Sequence, residues 1–171
     1  PDGSTREYEY DSKYNLAFER DEEGKAITYI YDSQKINLIK KAESLNGVKY
    51  ITGESNDADF AITRYAYYTD AECTTLGYTE RSPLKTVTDP EGKTTTYTYT
   101  ANGDVKAVED GEGNTTKYEY NGMGWKTAGI SPEGYKTEYE YDPNGRVVRV
   151  LKHNGDGVTK SITRTVKSRI V

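Results

Sequence analysis

The sequence predicts an all-β fold: an antiparallel β-meander of hairpin repeats, about 21 residues each, arranged as a twisted or curled open sheet. Turn glycines recur at a fixed distance, because Gly92, Gly113 and Gly134 lie 21 residues apart. Tyrosines follow such glycines at the fifth and seventh positions, and six Tyr-x-Tyr pairs contain twelve of the 17 tyrosines. No segment shows a convincing helical period of apolar residues. The repeat-defining tyrosines are Tyr8, Tyr10, Tyr29, Tyr31, Tyr65, Tyr67, Tyr97, Tyr99, Tyr118, Tyr120, Tyr139 and Tyr141.

One repeat unit is clearest from residue 134 to residue 150. Alternate side chains of a strand lie on opposite faces, so Tyr139 and Tyr141 share one face and charged residues occupy the other. The sequence Asp-Pro-Asn-Gly at 142–145 is typical of a turn, since proline presets φ and Asn and Gly tolerate positive φ. The β-branched segment 147–150 is then the return strand of the hairpin.

Residues 1–47 contain two repeats. The first hairpin extends from the turn at Gly3 to Gly24. The second begins with Tyr29 and Tyr31, but its return strand, residues 36–41, is displaced by about one position, and we expect a β-bulge to absorb this offset.

Residues 48–92 form an irregular repeat. Residues 48–52 are a candidate extra strand, and a polar loop follows them. A loop near 69–83, which contains Cys73, Tyr78 and Arg81, is inserted between a Tyr-x-Tyr pair and its return strand. Inserted loops on repeat proteins often carry individual functions, and the alternative is a loop that only extends a hairpin.

Residues 92–157 contain three regular repeats, and residues 158–171 are a basic terminal strand. In the regular part, Trp125 replaces the usual aliphatic residue at the start of a return strand. It either stacks on a neighbouring tyrosine or offers a platform for a sugar ring. Residues 160–171 carry four positive charges and no negative charge. This strand is either a natural sheet edge, where such charges discourage pairing, or a connection to another module.

The repeated pattern resembles the YD or Rhs repeat. Its elements are a Tyr-x-Tyr-Asp sequence, a short turn ending in glycine, an aliphatic strand, and Asp-Pro-x-Gly. Residues 139–147 and 87–92 match best, and residues 8–11 and 29–32 keep the tyrosines and the aspartate. Thr100 and Asn121 depart from the pattern, because they stand where the aspartate is expected.

The resemblance implies a relation to bacterial polymorphic toxins, wall-associated proteins, toxin-complex shells and teneurins, in which such repeats form a β-sheet that spirals into a hollow shell. It implies that residues 1–171 are a single YD/Rhs-type repeat segment of a larger, secreted or cell wall-associated protein. The expected function is then a non-catalytic part of a β-shell that encloses or presents a C-terminal effector. The expected partners are the remaining repeats of the parent protein and the enclosed effector domain.

A second hypothesis is a carbohydrate-binding or adhesion module. In this case Trp125 and Tyr78 are the ligand platform, and a cell-surface polysaccharide is the partner. An exposed aromatic sheet face or an open edge also favours a homodimer. Buried tyrosine faces would favour the shell, whereas open tyrosine faces would favour the adhesion module.

Charge and hydropathy argue against two further classes of partner. The net charge is −5, with both signs interleaved along the strands, which argues against nucleic-acid binding. No run approaches the roughly 20 apolar residues of a membrane span, so we expect no membrane insertion. A single cysteine, Cys73, cannot form a disulfide within the chain.

We predict no catalytic, cofactor-binding or metal site. His153 is the single histidine, so a Cys-His or Ser-His-Asp enzyme would need it as the only base. Residues 110–114 place oxygen side chains at alternate positions, as calcium loops do, but the same residues suit a turn between repeats. Zinc ligands are too few for a zinc site.

Overall fold

The computed structural model describes residues 5–79, 82–153 and 159–163, the last of these by their backbone. Antiparallel strands that follow one another in chain order dominate this part of the chain. The chain divides into two compact units, of which the first holds the described residues of Pro1–Tyr67 and Leu84–Thr94 and the second those of Tyr68–Pro83 and Thr95–Val171. The predicted all-β meander of hairpin repeats is confirmed.

The first unit is a meander in which each strand pairs with the next one along the chain. A short 3₁₀ helix, Asp57–Asp59, precedes the fifth strand. The strands are β1 (Glu7–Tyr10), β2 (Leu16–Arg20), β3 (Ala26–Tyr31), β4 (Leu38–Ser44), β5 (Ala61–Tyr67) and β6 (Leu84–Thr88).

The second unit contains one helix and a second meander with the same neighbour-to-neighbour pairing. Its last strand lies within the predicted terminal strand 158–171. The elements are α1 (Asp70–Leu76), β7 (Thr94–Tyr99, whose first residue belongs to the first unit), β8 (Val105–Glu109), β9 (Thr115–Tyr120), β10 (Lys126–Ile130), β11 (Lys136–Tyr141), β12 (Val147–His153) and β13 (Thr159–Thr163).

A five-residue turn of one type joins most successive strands. In the clearest example the N–H of Asp142 donates to the carbonyl of Arg146 at 2.9 Å, and the N–H of Gly145 donates to the carbonyl of Asp142 at 3.0 Å. Gly145 has φ of 77°, a value that favours glycine. The same pair of bonds occurs in the turns that start at Asp11, Asp21, Asp89, Thr100, Asp110, Asn121 and Ser131.

The first residue of these turns is a short polar residue, because its side chain also accepts from the turn. Asp142 Oδ1 accepts from the N–H groups of Asn144 at 2.9 Å and Arg146 at 3.0 Å. Thr100 and Ser131 accept one such bond each through their hydroxyls. Turn starts from Asp89 to Asp142 recur at steps of 11, 10, 11, 10 and 11 residues, so one 21-residue repeat contains two turns.

The offset expected in the second repeat is absorbed by its turn and not by a special bulge. Asp32 bonds to the carbonyl of Asn37, one position later than in the other turns, and the added residue Ile36 is 70% exposed. A register shift beside the turn is present here between Ile30 and Tyr31, but every Tyr-x-Tyr hairpin has the same shift. The bulge is therefore a regular part of the repeat.

The core of the first unit lies on the face opposite to its Tyr-x-Tyr pairs. Phe18, Thr28, Ala42 and Ile62 stand directly across from one another on four neighbouring strands, and all four are buried. Residues 45–60, which we call the strap, contribute Tyr50 to this core.

The extra strand expected at 48–52 is wrong. This part of the strap has no strand pairing, and β4 pairs directly with β5. The Tyr50 side chain is instead buried, and its N–H donates to the Thr28 hydroxyl at 3.1 Å. Burial of Tyr50 draws this segment over the core. The edge of β4 where a further strand could pair is already occupied by β5.

The helix α1 lies in the insertion predicted near 69–83, where no helix was expected. Thr69 and Glu72 form a capping box, and Gly77 ends the helix with φ of 71°. The seven residues of α1 are too few to show a helical period, so the Thr-x-x-Glu sequence is its one local signal.

Gly3, Arg81, the turn after His153 and the basic residues beyond Thr163 lie outside the described residues.

Candidate functional site

The second tyrosine of four Tyr-x-Tyr pairs donates its hydroxyl to the backbone of an earlier hairpin. In each case the acceptor is the carbonyl of the first residue of a return strand. We call these four residues the tyrosine ladder. The bonds join Tyr31 to Leu16 (3.1 Å), Tyr67 to Leu38 (3.0 Å), Tyr120 to Val105 (2.8 Å) and Tyr141 to Lys126 (2.6 Å).

The ladder hydroxyls satisfy carbonyl groups beside the bulges, where the regular strand pairing is interrupted. Burial raises the pKa values of Tyr31, Tyr67 and Tyr120 above their usual range, so these phenols stay neutral and remain donors. A neutral phenol bonded to a backbone carbonyl ties two hairpins together and offers no reactive group.

In five of the six Tyr-x-Tyr pairs both tyrosines are half-buried. This holds for both members of the pairs on β3, β5, β7, β9 and β11. The pair on β1 differs, because Tyr8 is 48% and Tyr10 is 62% exposed.

Trp125, predicted as a stacking residue or a sugar platform, covers a turn glycine of the next hairpin. A Cβ on Gly145 would lie 3.0 Å from the indole ring, and the centroid of the Tyr141 ring is 5.3 Å away. The six-membered ring of the indole thus lies against this turn. The indole packs against the ring of Tyr141 at an angle of 43° and does not stack flat on it. Sugar binding by Trp125 stays a prediction.

The prediction that Trp125 stands at the aliphatic start of a return strand is wrong, because Trp125 closes the turn that begins at Asn121. Lys126 is the first residue of that strand, where the other repeats have an aliphatic residue. Its ammonium lies 5.3 Å from the centroid of the Tyr118 ring and 5.1 Å from that of Tyr139. The two rings belong to strands on either side of β10, so the cation joins three strands.

Tyr78, the other predicted platform residue, belongs to an aromatic cluster with Tyr68 and Tyr99. The three rings pack edge to face, with centroids 5.3 to 6.3 Å apart. The Tyr68 hydroxyl donates to the carbonyl of Tyr97 at 3.0 Å, and burial raises the pKa of Tyr68 to about 12. The cluster fastens the insertion that carries α1 onto β7, and ligand binding by Tyr78 stays a prediction.

A charged network holds the strap and was not found by sequence reasoning. The Tyr50 hydroxyl donates to Asp57 Oδ1 at 2.5 Å, and Lys40 Nζ donates to the same hydroxyl at 2.8 Å. Arg64 forms an ion pair with Asp57. Tyr50 and Asp57 belong to the segments predicted as a strand and a polar loop, where no local pattern indicates their partners on β4 and β5.

The network also fixes the ionisation of its members. The bond from Tyr50, followed by those from Lys40 and Arg64, outweighs the effect of burial and lowers the pKa of Asp57. Burial alone would lower the pKa of Lys40, but its bonds to Tyr50 and Asp57 outweigh this effect and raise it. The strap is therefore closed by opposite charges at neutral pH.

The residues weighed for chemistry have structural partners. His153 Nε2 lies 2.8 Å from the Glu138 carboxylate, which also binds Lys136 at 3.1 Å. Asp110 Oδ1 accepts from Glu112 and Asn114 within its turn. Among the described residues, no group of three His, Cys, Asp or Glu side chains is placed to hold a metal ion.

These features define the class of protein: a β-hairpin repeat protein whose tyrosines and turn residues bond to its own backbone. Residues 99–131 match the family model described as RHS Repeat. This match confirms, for residues 99–131, the predicted resemblance to the YD/Rhs repeat.

The similarity to solved structures is low in both sequence identity and TM-score. The TcdB2–TccC3–Cdc42 and TcdB2–TccC3–TEV structures are each 15% identical over 90% of this chain, with TM-scores of 0.41 and 0.42. The structure of TcdB2–TccC3 without its hypervariable C-terminal region is 14% identical over 88%, with a TM-score of 0.40. The chain spans about 10% of the length of these structures. A comparison with curated proteins gives no match.

Within the described residues, no helix has the length and apolar composition needed to cross a bilayer.

Proposed function

We propose that this chain is part of the wall of a β-shell in a large bacterial secreted or cell-surface protein. The wall encloses or presents a C-terminal effector, and the segment itself catalyses no reaction. The tyrosine ladder carries this proposal, because its four hydroxyls form bonds that join one hairpin to another. The match of residues 99–131 to the RHS Repeat family supports it.

The side-chain contacts within and between the hairpins are those expected of a continuous shell wall. The turn carboxylates accept from their own turns, and Trp125 closes over a glycine of the next hairpin. Such groups hold strands in register and keep a repeated sheet continuous. The remaining repeats of the parent protein are the expected neighbours of this segment.

The test uses the natural protein that carries this segment, with Tyr120→Phe and Tyr141→Phe combined. Each substitution removes one ladder bond, worth about 1 kcal/mol, so the wall opens more often. We expect added protease to cleave the effector several-fold faster than in the unsubstituted protein. Tyr135→Phe is the control, because Tyr135 is 50% exposed and lies in a turn. Equal cleavage rates in all three proteins would show that the segment does not enclose the effector.

A further inference from the structure

The strap exposes apolar side chains to solvent. Leu45 is 87% and Val48 is 50% exposed, and Phe60 is half-buried, with its ring centroid 5.2 Å from that of Tyr50. The strap is an addition to the repeat, because β4 pairs directly with β5 and a short turn would suffice to join them. An added loop on a repeat scaffold that keeps large apolar side chains in water is typical of an interaction site.

The exposed side chains line one groove, which we call the strap groove. It has two parts, with volumes of about 520 and 410 Å³, and Asp59 and Phe60 line both of them. Val48 and Glu54 line the larger part, and Leu45 lines the smaller part. Each part therefore combines the Phe60 ring and an aliphatic side chain with a carboxylate.

Bonds within the strap fix the walls of this groove. The N–H of Ile51 donates to the Ser55 hydroxyl at 2.8 Å, and the N–H of Ala58 donates to Asn56 Oδ1 at 3.2 Å. The network around Asp57 joins the same segment to β4 and β5. A groove that is already formed in the free protein loses little conformational entropy when a ligand binds.

In the described part of the chain, the strap groove is lined by carboxylates and by no cationic side chain. Glu43, at one end, already binds Lys25 and Lys41. Glu54 and Asp59 are exposed, and neither has an ion-pair partner among the described residues. No three His, Cys, Asp or Glu side chains of these residues are placed to hold a metal ion. The groove therefore suits a cationic side chain.

Arginine fits this combination of groups better than lysine does. Its guanidinium is planar, so it can stack on the Phe60 ring and donate two parallel N–H groups to the Asp59 carboxylate. The arginines of this chain have other partners, because every arginine side chain that the structure describes forms an ion pair within the chain. These are Arg6, Arg20, Arg64, Arg146 and Arg149. A second copy of the chain is therefore a poor source of the ligand.

We propose that the strap groove binds an extended segment of a partner protein, in which an arginine lies between aliphatic residues. The guanidinium stacks on Phe60 and bonds to Asp59, and the two aliphatic side chains contact Val48 and Leu45. The strap thereby adds recognition of a second protein to the first unit. This inference goes beyond the wall function, because the ladder bonds that join the hairpins do not involve the strap.

The test titrates the peptide acetyl-Leu-Arg-Leu-amide into the complete chain and follows the backbone amides by NMR. We expect saturable shifts in residues 45–60. The same peptide with citrulline in place of arginine keeps the shape of the side chain but has no charge. It should bind about tenfold more weakly, the ratio that one charge-assisted hydrogen bond supplies.

Asp59→Asn should weaken binding of the arginine peptide about tenfold for the same reason. Glu91→Gln, which removes an exposed carboxylate from the turn between β6 and β7, is the matched control and should bind the peptide as the unsubstituted chain does. Leu45→Ser alters a side chain that takes no part in the core, so it should weaken binding and leave the urea midpoint unchanged.

Equal affinity for the arginine and citrulline peptides, unchanged affinity in Asp59→Asn, shifts confined to other segments, or no saturation at millimolar peptide would each overturn the proposal. Equal binding of argininamide would reduce the groove to a site for small cations and overturn it as well. Self-association of the chain that is lost in Asp59→Asn, measured by ultracentrifugation, would instead assign the groove to a second copy. Protection of the effector through Tyr120 and Tyr141 tests the wall separately, so each proposal can fail without the other.

Discussion

The second tyrosine of each pair differs from phenylalanine by one hydroxyl, and in the tyrosine ladder that hydroxyl has a backbone partner. This explains why the repeat uses tyrosine where packing alone would accept phenylalanine. The aspartate that follows acts in the same way within its turn. The N–H of Arg146 is the main cause that lowers the pKa of Asp142, and the N–H of Ile36 does so for Asp32. The tyrosine hydroxyl and the aspartate carboxylate therefore explain why these two residue types recur in the repeat.

A comparison of two turn glycines measures how much the contact with Trp125 adds to the free-energy cost of a Gly→Ala substitution. Gly145 and Gly134 both have positive φ, 77° and 85°, but a Cβ on Gly134 meets nothing within 4 Å. Gly134→Ala should cost roughly 1–2 kcal/mol from backbone strain. Gly145→Ala should cost about 1 kcal/mol more, because its Cβ overlaps the indole.

Urea unfolding followed by the fluorescence of Trp125, the one tryptophan, gives both midpoints. Equal losses in the two variants would mean that the indole moves aside freely.

At the scale of elements, the strap is the part of the first unit that is not a repeat. It covers the sheet face opposite to the tyrosines and brings Tyr50 into contact with Phe60, at 5.2 Å between ring centroids. A single network of Lys40, Tyr50, Asp57 and Arg64 ties it to β4 and β5. This network therefore depends on one carboxylate, that of Asp57.

The strap predicts a dependence of stability on acid. The pKa of Asp57 in the folded chain lies below 3.8, its ordinary value, so its contribution is complete above that pH and is lost as pH falls through the folded-state pKa. Asp57→Asn should flatten the fall of the urea midpoint between pH 4 and pH 2, measured by circular dichroism. Asp59→Asn, an exposed carboxylate on the same 3₁₀ helix, is the control. Parallel pH profiles for Asp57→Asn and the unsubstituted chain would contradict a closing role for this carboxylate.

Local patterns in the sequence predict the repeats well and the remaining contacts poorly. Strand alternation and turn residues act over a few positions, so the hairpins and the Tyr-x-Tyr faces follow from them. The strap depends on Tyr50 meeting Thr28, 22 residues away, and on Lys40 meeting Asp57, 17 residues away. No periodicity encodes such contacts. The ladder acceptors are also invisible in sequence, because they are backbone carbonyls.

At the scale of the whole molecule, half-buried tyrosine rings supplement a small buried core. Many rings are half-buried, and burial is the largest cause that raises the pKa values of Tyr29, Tyr31, Tyr67, Tyr68 and Tyr120. The folded chain therefore favours neutral phenols over phenolates. Its stability is linked to the protonation of its most frequent aromatic residue.

This linkage predicts alkaline unfolding. A phenol whose folded-state pKa is raised contributes stability that is complete below its unfolded pKa of about 10 and is lost as pH rises through the folded value. Circular dichroism should show unfolding between about pH 10 and pH 12, together with the ionisation of these tyrosines in ultraviolet absorbance. Tyr120→Phe should make the pH dependence less steep. A full ionisation of all 17 tyrosines near pH 10, with the sheet intact, would contradict the linkage.

Because one type of turn joins most of the strands, the chain can gain residues at the ends of its hairpins. Each turn closes its own hydrogen bonds, so added residues at a hairpin end leave the strands beside them undisturbed. Residues 68–83 illustrate this, since Tyr67 and Leu84 on either side of them still stand opposite each other. Insertion within a strand would instead exchange its two faces. The hairpin ends are thus the sites where evolution, or an engineer, can graft a new loop without redesigning the sheet.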